Sequence, residues 1–205
     1  MNITSAKFKQ DDQSEPMDNG PHLESDNDIS IHLMQRIAEG DKHALSMLIN
    51  QWKMPVINFV YRSIGNYEDA EEIALKAFSK IYDSATRYQP TAKFSTYLFL
   101  IAKRIMLTEI RKQKIRKVSP IDSSELTNFS SNEDAEKNKR SEIEEIFLTC
   151  LQRIPEKHRL ALILVIQEEM EYADAAKILE ISEGNLRVNL HRGRKLLKEE
   201  MEKML

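Results

Sequence analysis

Three groups of side chains in this 205-residue sequence have types and spacing suited to chemistry, and in each the chemistry is recognition. The densest group is basic. Between residues 103 and 117, Lys103, Arg104, Arg111, Lys112, Lys114, Arg116 and Lys117 stand against Glu109 alone, a local charge of +6. Phe94-Ser-Thr-Tyr97-Leu-Phe99 lies just before it. Rings beside cations suit an unpaired nucleic-acid strand, because a ring stacks a base while the cations track phosphates. The same cations also fit a solvated helix face. Phe94 and Phe99 equally fit a core, which leaves Tyr88 and Tyr97 as the rings expected at the surface.

The second group lies near the C-terminus. A short helical pattern, Tyr172-Ala-Asp-Ala-Ala-Lys-Ile-Leu179, is followed by the turn Glu180-Ile181-Ser182 and a longer helix with Arg187, His191, Arg192, Arg194, Lys195 and Lys198. Ala176 is small enough for close helix approach, Ile181 points inward and Ser182 caps the next helix. This is the length and polarity of a helix-turn-helix, whose second helix enters the major groove by its N-terminal half. Ser182, Glu183, Gly184, Asn185 and Arg187 then sit near base edges or the nearest phosphates, and His191, Arg192, Arg194 and Lys195 farther along the backbone. The alternative is an ordinary surface helix whose basic end suits its dipole.

The third group is Asn66-Tyr-Glu-Asp69-Ala-Glu71-Glu72-Ile-Ala-Leu75-Lys76-Ala-Phe78. Acids in the first turns of a helix are expected from the dipole alone. Leu75 is different, because Ile73, Ala74, Ala77, Phe78 and Ile81 define the inward stripe and turn Leu75 and Lys76 partly outward. An exposed leucine beside acids suits a protein contact.

Bond-making chemistry has little support. The lone Cys150 cannot form a disulfide framework or a cysteine-based zinc site, and it fits as a small buried residue on a helix. His22, His32, His43, His158 and His191 are scattered with no i, i+4 pair, so no metal site is expected. Five glycines are too few for a phosphate loop, and no nucleophile–base set is apparent. The expectation is a non-enzyme without cofactor or metal.

These groups need elements to position them. Few glycines and six prolines, with 41% hydrophobic and 31% charged residues, point to a helical chain with modest cores. Residues 1–27 lack apolar periodicity and read as a disordered tail, and residues 1–28 carry two lysines against seven acids. From Asp28, a helix ends at Gly40. A second starts at Asp41, is kinked or restarted at Pro55 and stops at Gly65. A third is capped by Asn66, and a fourth runs from about Ser95 to Val118. Residues 119–140 turn rich in Ser, Asn, Asp and Glu and read as a flexible linker. Residues 141–205 form the second unit, with a segment from near Ser141 ending at Pro155 and another helix expected through Leu160–Ile166 before the helix-turn-helix. The fold class is therefore all-α: two small helical domains, 28–118 and 141–205, joined by a flexible linker. The overall charge of -3 conceals acidic segments offsetting basic helices. No signal peptide or spanning segment is apparent, so a cytoplasmic protein without membrane insertion is expected.

The order of these groups resembles the extracytoplasmic-function group of bacterial sigma-70 family factors over roughly residues 28–200. The matching text is Gly40-Asp41-Lys-His-Ala44, Tyr67-Glu-Asp69-Ala70-Glu71-Glu72-Ile73 with Phe78, and Lys93-Phe94-Ser95-Thr96-Tyr97-Leu98 with Ile101-Ala102 and Arg111. In the second domain it is Ile154-Pro155 with Arg159, Tyr172 with Ala176, Leu179, Ile181-Ser182, and Gly184 with Leu190-His191-Arg192-Gly193-Arg194.

The resemblance implies a factor that directs core RNA polymerase to specific promoters and aids their melting, with core polymerase, promoter DNA and an anti-sigma factor as partners. Asp69, Glu71, Glu72, Leu75, Lys76 and Phe78 would meet the polymerase. Phe94, Tyr97, Lys103, Arg104, Arg111, Lys112 and Lys114 would face the minus-ten strand. Ser182, Glu183, Gly184, Asn185, Arg187, His191, Arg192, Arg194 and Lys195 would lie on the minus-thirty-five element. The chain departs from the family pattern at Leu75-Lys76, where Gln-Glu is usual, and at Tyr97, where Trp is usual. Arg104 and Thr108 stand for Asn and Asp, and Val188-Asn189 for a pair such as Ser-Arg. The alternative that these departures raise is a sigma-like DNA-binding regulator, or an anti-sigma decoy, that does not initiate transcription.

Overall fold

Capping chemistry sets the helix ends in the computed structural model, which describes residues 23–118 and 135–204. Residues 1–22 of the tail and the first part of the linker, residues 119–134, lie outside the described residues. Helix α1 spans Leu23–Ala38, so it begins earlier than the Asp28 expected from the sequence. Gly40 follows at φ +92°, a left-handed conformation that suits glycine. Helix α2, Lys42–Ile64, starts where Asp41 Oδ1 accepts from the His43 and Ala44 amides at 2.8 and 3.1 Å. The other Asp41 oxygen takes the Arg36 guanidinium at 2.6 Å, which holds this carboxyl below its ordinary range and ties α1 to α2. Gly65, at φ +79°, closes α2 by donating its N–H to the Tyr61 carbonyl at 2.7 Å. Pro55 does not restart the helix; α2 runs through it as one element.

Helix α3, Tyr67–Ser84, is capped by Asn66, whose Oδ1 accepts from the Asp69 amide at 2.9 Å. A single 3-10 turn, Ala85–Arg87, leads toward α4, Phe94–Val118. The first amide of α4 is satisfied from a distance: Phe94 N donates to Asn27 Oδ1 of α1 at 2.6 Å. These four helices enclose an aromatic centre. Trp52 lies 5.8 Å from Phe94 and 6.5 Å from Phe99, Phe59 lies 5.2 Å from Phe99, and Trp52 Nε1 donates to Ser30 Oγ at 2.9 Å.

The second domain comprises α5 (Ala135–Arg153), α6 (Glu156–Leu162), α7 (Tyr172–Leu179) and α8 (Glu183–Glu202). Helix α5 thus begins inside the stretch read as linker. The helix expected through Leu160–Ile166 is instead α6 followed by a widened π turn, Ile163–Gln167, beyond which the Glu168 and Met170 amides donate to the Ile163 and Leu164 carbonyls at 3.0 Å each. Cys150 is buried as expected, and desolvation pushes its thiol pKa up. No strand occurs among the described residues, and none of their helices is long and apolar enough to cross a membrane.

The two helical domains pack directly on each other. Helix α4 rests on α7, and α2 on α5 and the turn after α6, so that Phe59 and Ile57 belong to the same buried cluster as Leu151, Ile163 and Leu164. Polar contacts edge this seam. Gln152 Nε2 donates to the Arg62 carbonyl at 2.9 Å, and the Arg62 guanidinium meets the Glu168 carboxylate at 3.1 Å.

Candidate recognition surfaces

Helices α7 and α8 form the expected helix-turn-helix. Ala176 is buried beneath the turn, and the Ile181 amide donates back to its carbonyl at 3.1 Å. Ser182 caps α8, its Oγ accepting from the Asn185 amide at 3.2 Å. Leu186, Leu190 and Gly193 face inward, while Glu183, Gly184, Asn185, Arg187, His191, Arg192, Arg194 and Lys195 are all exposed with Ser182. All nine residues expected on the reading face are therefore exposed, on α8 or at its cap. The Arg187 guanidinium, in the N-terminal half of α8, is held 5.7 Å over the Tyr172 ring and 3.6 Å from the Glu183 carboxylate.

Close packing fixes the tilt of α8. A Cβ at Gly193 would stand 3.0 Å from Leu162 Cγ and 3.1 Å from the His158 carbonyl oxygen, so α8 approaches α6 as nearly as a glycine permits. His158 is buried under α8; desolvation, helped by Lys157 and Arg192, lowers its pKa against hydrogen bonding with Asn189. Asn189 is half-buried and turned to this histidine rather than outward.

The basic face of α4 differs from the sequence reading at several positions. Phe94 is wholly buried against Trp52 and Tyr88, so it serves the core instead of offering a ring to a base. Tyr97 is half-buried, 5.0 Å from the Tyr88 ring, and its hydroxyl shares a 2.8 Å hydrogen bond with Ser84 Oγ. Lys103 is only 4% exposed, because its ammonium donates to the Ile178 carbonyl at 2.7 Å and to Glu180 at 2.8 Å. Arg104 is exposed and donates to the other Glu180 oxygen at 2.5 Å. Arg111 and Lys112 are exposed, with Lys112 3.1 Å from Glu109. Lys114 belongs to the same helix, but its side chain lies outside the described residues. Thr108 Oγ1 donates to the Arg104 carbonyl at 2.8 Å, which satisfies its hydroxyl within the helix.

The outer side of α3 carries Glu71, Glu72 and, 70% exposed, Leu75. Phe78 is buried and supports this face from behind. Lys76 does not project a free positive charge. Its ammonium bridges Glu72 at 2.7 Å and Glu109 at 3.2 Å, and these carboxylates raise its pKa. Asp69 and Glu72 also line a cleft of about 430 Å³ along the seam, facing Gln152 and Arg159 of the second domain.

Sequence reasoning missed the residues that join the domains. Lys93 meets Glu171 at 2.8 Å and Asp174 at 3.3 Å, and Glu180 takes Lys103 and Arg104 together. Glu180 was visible only as a turn residue. The available signal was its type: a glutamate at the helix end, where glycine or asparagine is favoured, adopts φ +59°.

Comparison with known proteins follows the same division. The family model "Sigma-70 region 2" matches residues 48–115, and "Sigma-70, region 4" matches residues 144–197. The chain is 26% identical over 178 residues to the ECF RNA polymerase sigma factor SigW of Bacillus subtilis, covering 82% of this chain and 94% of that one. It is 25% identical to the RNA polymerase sigma-H factor of Pseudomonas aeruginosa, with 84% and 94% covered. Among solved structures, CnrH in complex with the cytosolic domain of CnrY superposes with a TM-score of 0.64 at 16% identity, over 85% of this chain and 98% of that one. The sigma factor RpoE in complex with the anti-sigma factor NepR, from Bartonella quintana, gives the same TM-score and identity over 77% and 96%. With both family regions matched in order, one on each helical domain, the chain belongs to the sigma-70 family, in its extracytoplasmic-function group.

Proposed function

We propose that this chain is a sigma factor that directs core RNA polymerase to a specific set of promoters and helps open them. The observation that carries this reading is the pairing, in one chain, of a helix-turn-helix with an outward basic α8 and a separate domain bearing the acidic Leu75 face of α3. Helix α8 enters the major groove of the minus-thirty-five element, with Asn185 and Arg187 nearest the base edges and Arg192, Arg194 and Lys195 on phosphates. Leu75, flanked by Glu71 and Glu72, docks on the polymerase, where burial of the leucine supplies affinity and the acids set register. Arg104, Arg111, Lys112 and Lys114 track the minus-ten strand beside Tyr97. The protein supplies no bond-making group of its own, works in the cytoplasm, and is held in check by an anti-sigma factor.

Reconstitution with core polymerase and a genomic promoter library tests the reading. Run-off transcripts from discrete sites that require the protein are expected. DNA binding without stable association with core enzyme would replace it by a sigma-like regulator that does not initiate.

A further inference from the structure

Val188 is an unusual residue for the solvated side of a basic helix. It is 47% exposed, and among the described residues it is the one large apolar side chain exposed on α8. Single exposed apolar residues are common, so exposure alone assigns nothing. Its place on the helix says more. At about 100° per residue, two residues turn a helix by about 200°. Val188 stands two residues from Leu186 and two from Leu190, both buried. Its side chain therefore leaves α8 almost opposite the core, at the crest of the face where Arg187, His191, Arg192 and Lys195 are exposed.

Gly184 lies one turn earlier on the same crest. Nothing in the fold requires a glycine there, since a Cβ would meet only Ser182 Oγ, at 3.9 Å. Glycine is a poor helix former, but it lets a backbone come nearest to a partner surface. Asn189, next to Val188, is half-buried and turned to His158, so of this pair the valine alone faces outward. The crest thus presents bare backbone and then two methyl groups, with cations on either side. Those cations suit phosphates flanking a major groove. Val188 can neither donate nor accept a hydrogen bond. Among the groups by which base pairs are told apart in that groove, the C5-methyl of thymine is the apolar one.

We propose that Val188 is a specificity-determining residue that packs on the C5-methyl of a thymine in the DNA bound by α8, with Gly184 letting the helix come close enough for the contact. The proposal rests on the sigma-factor reading for the promoter as its target, and goes beyond it by naming a base. Phosphate contacts hold α8 on any sequence, whereas the valine discriminates at one base pair.

Promoter duplexes selected from genomic DNA by the full chain, alone and with core polymerase, supply the probes. Each thymine of the minus-thirty-five element is replaced in turn by deoxyuridine, which pairs identically and lacks only the methyl group. The wild type is expected to lose about fourfold in affinity at one such position, the worth of one buried methyl. Val188→Ser changes an outward side chain to one of similar helix propensity, so the melting temperature should hold. This variant should bind the thymine duplex about as weakly as the wild type binds the deoxyuridine duplex, and respond no further to the replacement. Both proteins should show the same salt dependence, because no phosphate contact is lost. Wild-type affinity unchanged by deoxyuridine at every position, or an equal loss in Val188→Ser and wild type, would overturn the proposal. Methyl-dependent binding by the full chain that yields no transcript with core polymerase would uphold the role of Val188 and defeat the sigma-factor reading instead. Failure to retain any DNA, with or without core enzyme, would defeat both.

Discussion

Gly193 and Leu75 act at opposite surfaces of single residues, one by lacking a side chain and the other by exposing one. Replacing Gly193 by Ala puts a methyl 3.0 Å from Leu162 and 3.1 Å from a backbone oxygen that cannot swing away. Overpacking of this kind costs about 1–3 kcal/mol, offset by roughly 1 kcal/mol of improved helix propensity. A net loss of about 1 kcal/mol is expected in urea denaturation, with promoter affinity falling as α8 shifts. Leu75→Asp tests the opposite case. At 70% exposure the leucine contributes little to the core, so the melting temperature should hold. Binding to core polymerase should weaken by roughly tenfold or more, as for an apolar anchor lost from an interface, and titration of core enzyme would measure it.

At the scale of elements, the pairing of α3 with α4 shows what the sequence carries and where it stops. The stripe Ala70, Ile73, Ala74, Ala77, Phe78 and Ile81 is legible because one helix packs with a 3.6-residue period, and all six are buried. The caps Asp41, Asn66 and Ser182 are legible because a side-chain oxygen satisfies an amide two or three residues on. Helix α4 is less legible. Lys103 shares its inward side with Phe99, Ala102 and Met106, because a second domain supplies its acceptors, and a sequence window contains no partner 75 residues away. Phe94 was ambiguous for a similar reason: its ring choice between core and strand depends on Trp52, which lies on another helix. Lys76 reads from sequence as a reversed charge on the α3 face. In the fold it neutralises Glu72 and Glu109, so the departure changes a helix pairing more than it changes the charge shown to a partner. Lys76→Glu should therefore leave three acids together and lower the urea midpoint without changing the slope, and the loss should shrink as salt is raised. A midpoint that is insensitive to this change at low salt would show the bridge to be idle.

For the whole molecule, the seam makes two domains behave as one unit, and a largely buried ion pair within it gives that unit a pH signature. Arg62 lies on α2, and Glu168 follows the π turn of the second domain, with a carboxyl side chain only 10% exposed. Burial raises its pKa from 4.5 to about 7, against the opposing pull of Arg62. Between these values the native chain holds a proton that the unfolded chain has released, so this group makes stability fall as pH rises from about 5 to 7. His158 pulls the other way. Its buried ring has a lowered pKa, so the unfolded chain binds its proton first and stability rises with pH toward 6.5. The depressed carboxylates Asp41, Glu109, Glu180 and Glu200 add a loss only in more acid solution, as pH falls through the range below 4.5. A wild-type profile between pH 5 and 7.5 therefore mixes opposing slopes, and the difference from Glu168→Gln separates them. The amide preserves an acceptor for Arg62 and cannot ionise, while His158 and the other acids contribute equally to both proteins. Glu168→Gln should match wild type near pH 5 and exceed it progressively toward pH 7.5, by up to about 1.4 kcal/mol for each pH unit over which only the wild type gives up the proton. Urea denaturation at half-unit steps would measure this, and two parallel profiles would mean that the Glu168 carboxyl titrates as it does in water and that the seam leaves it hydrated.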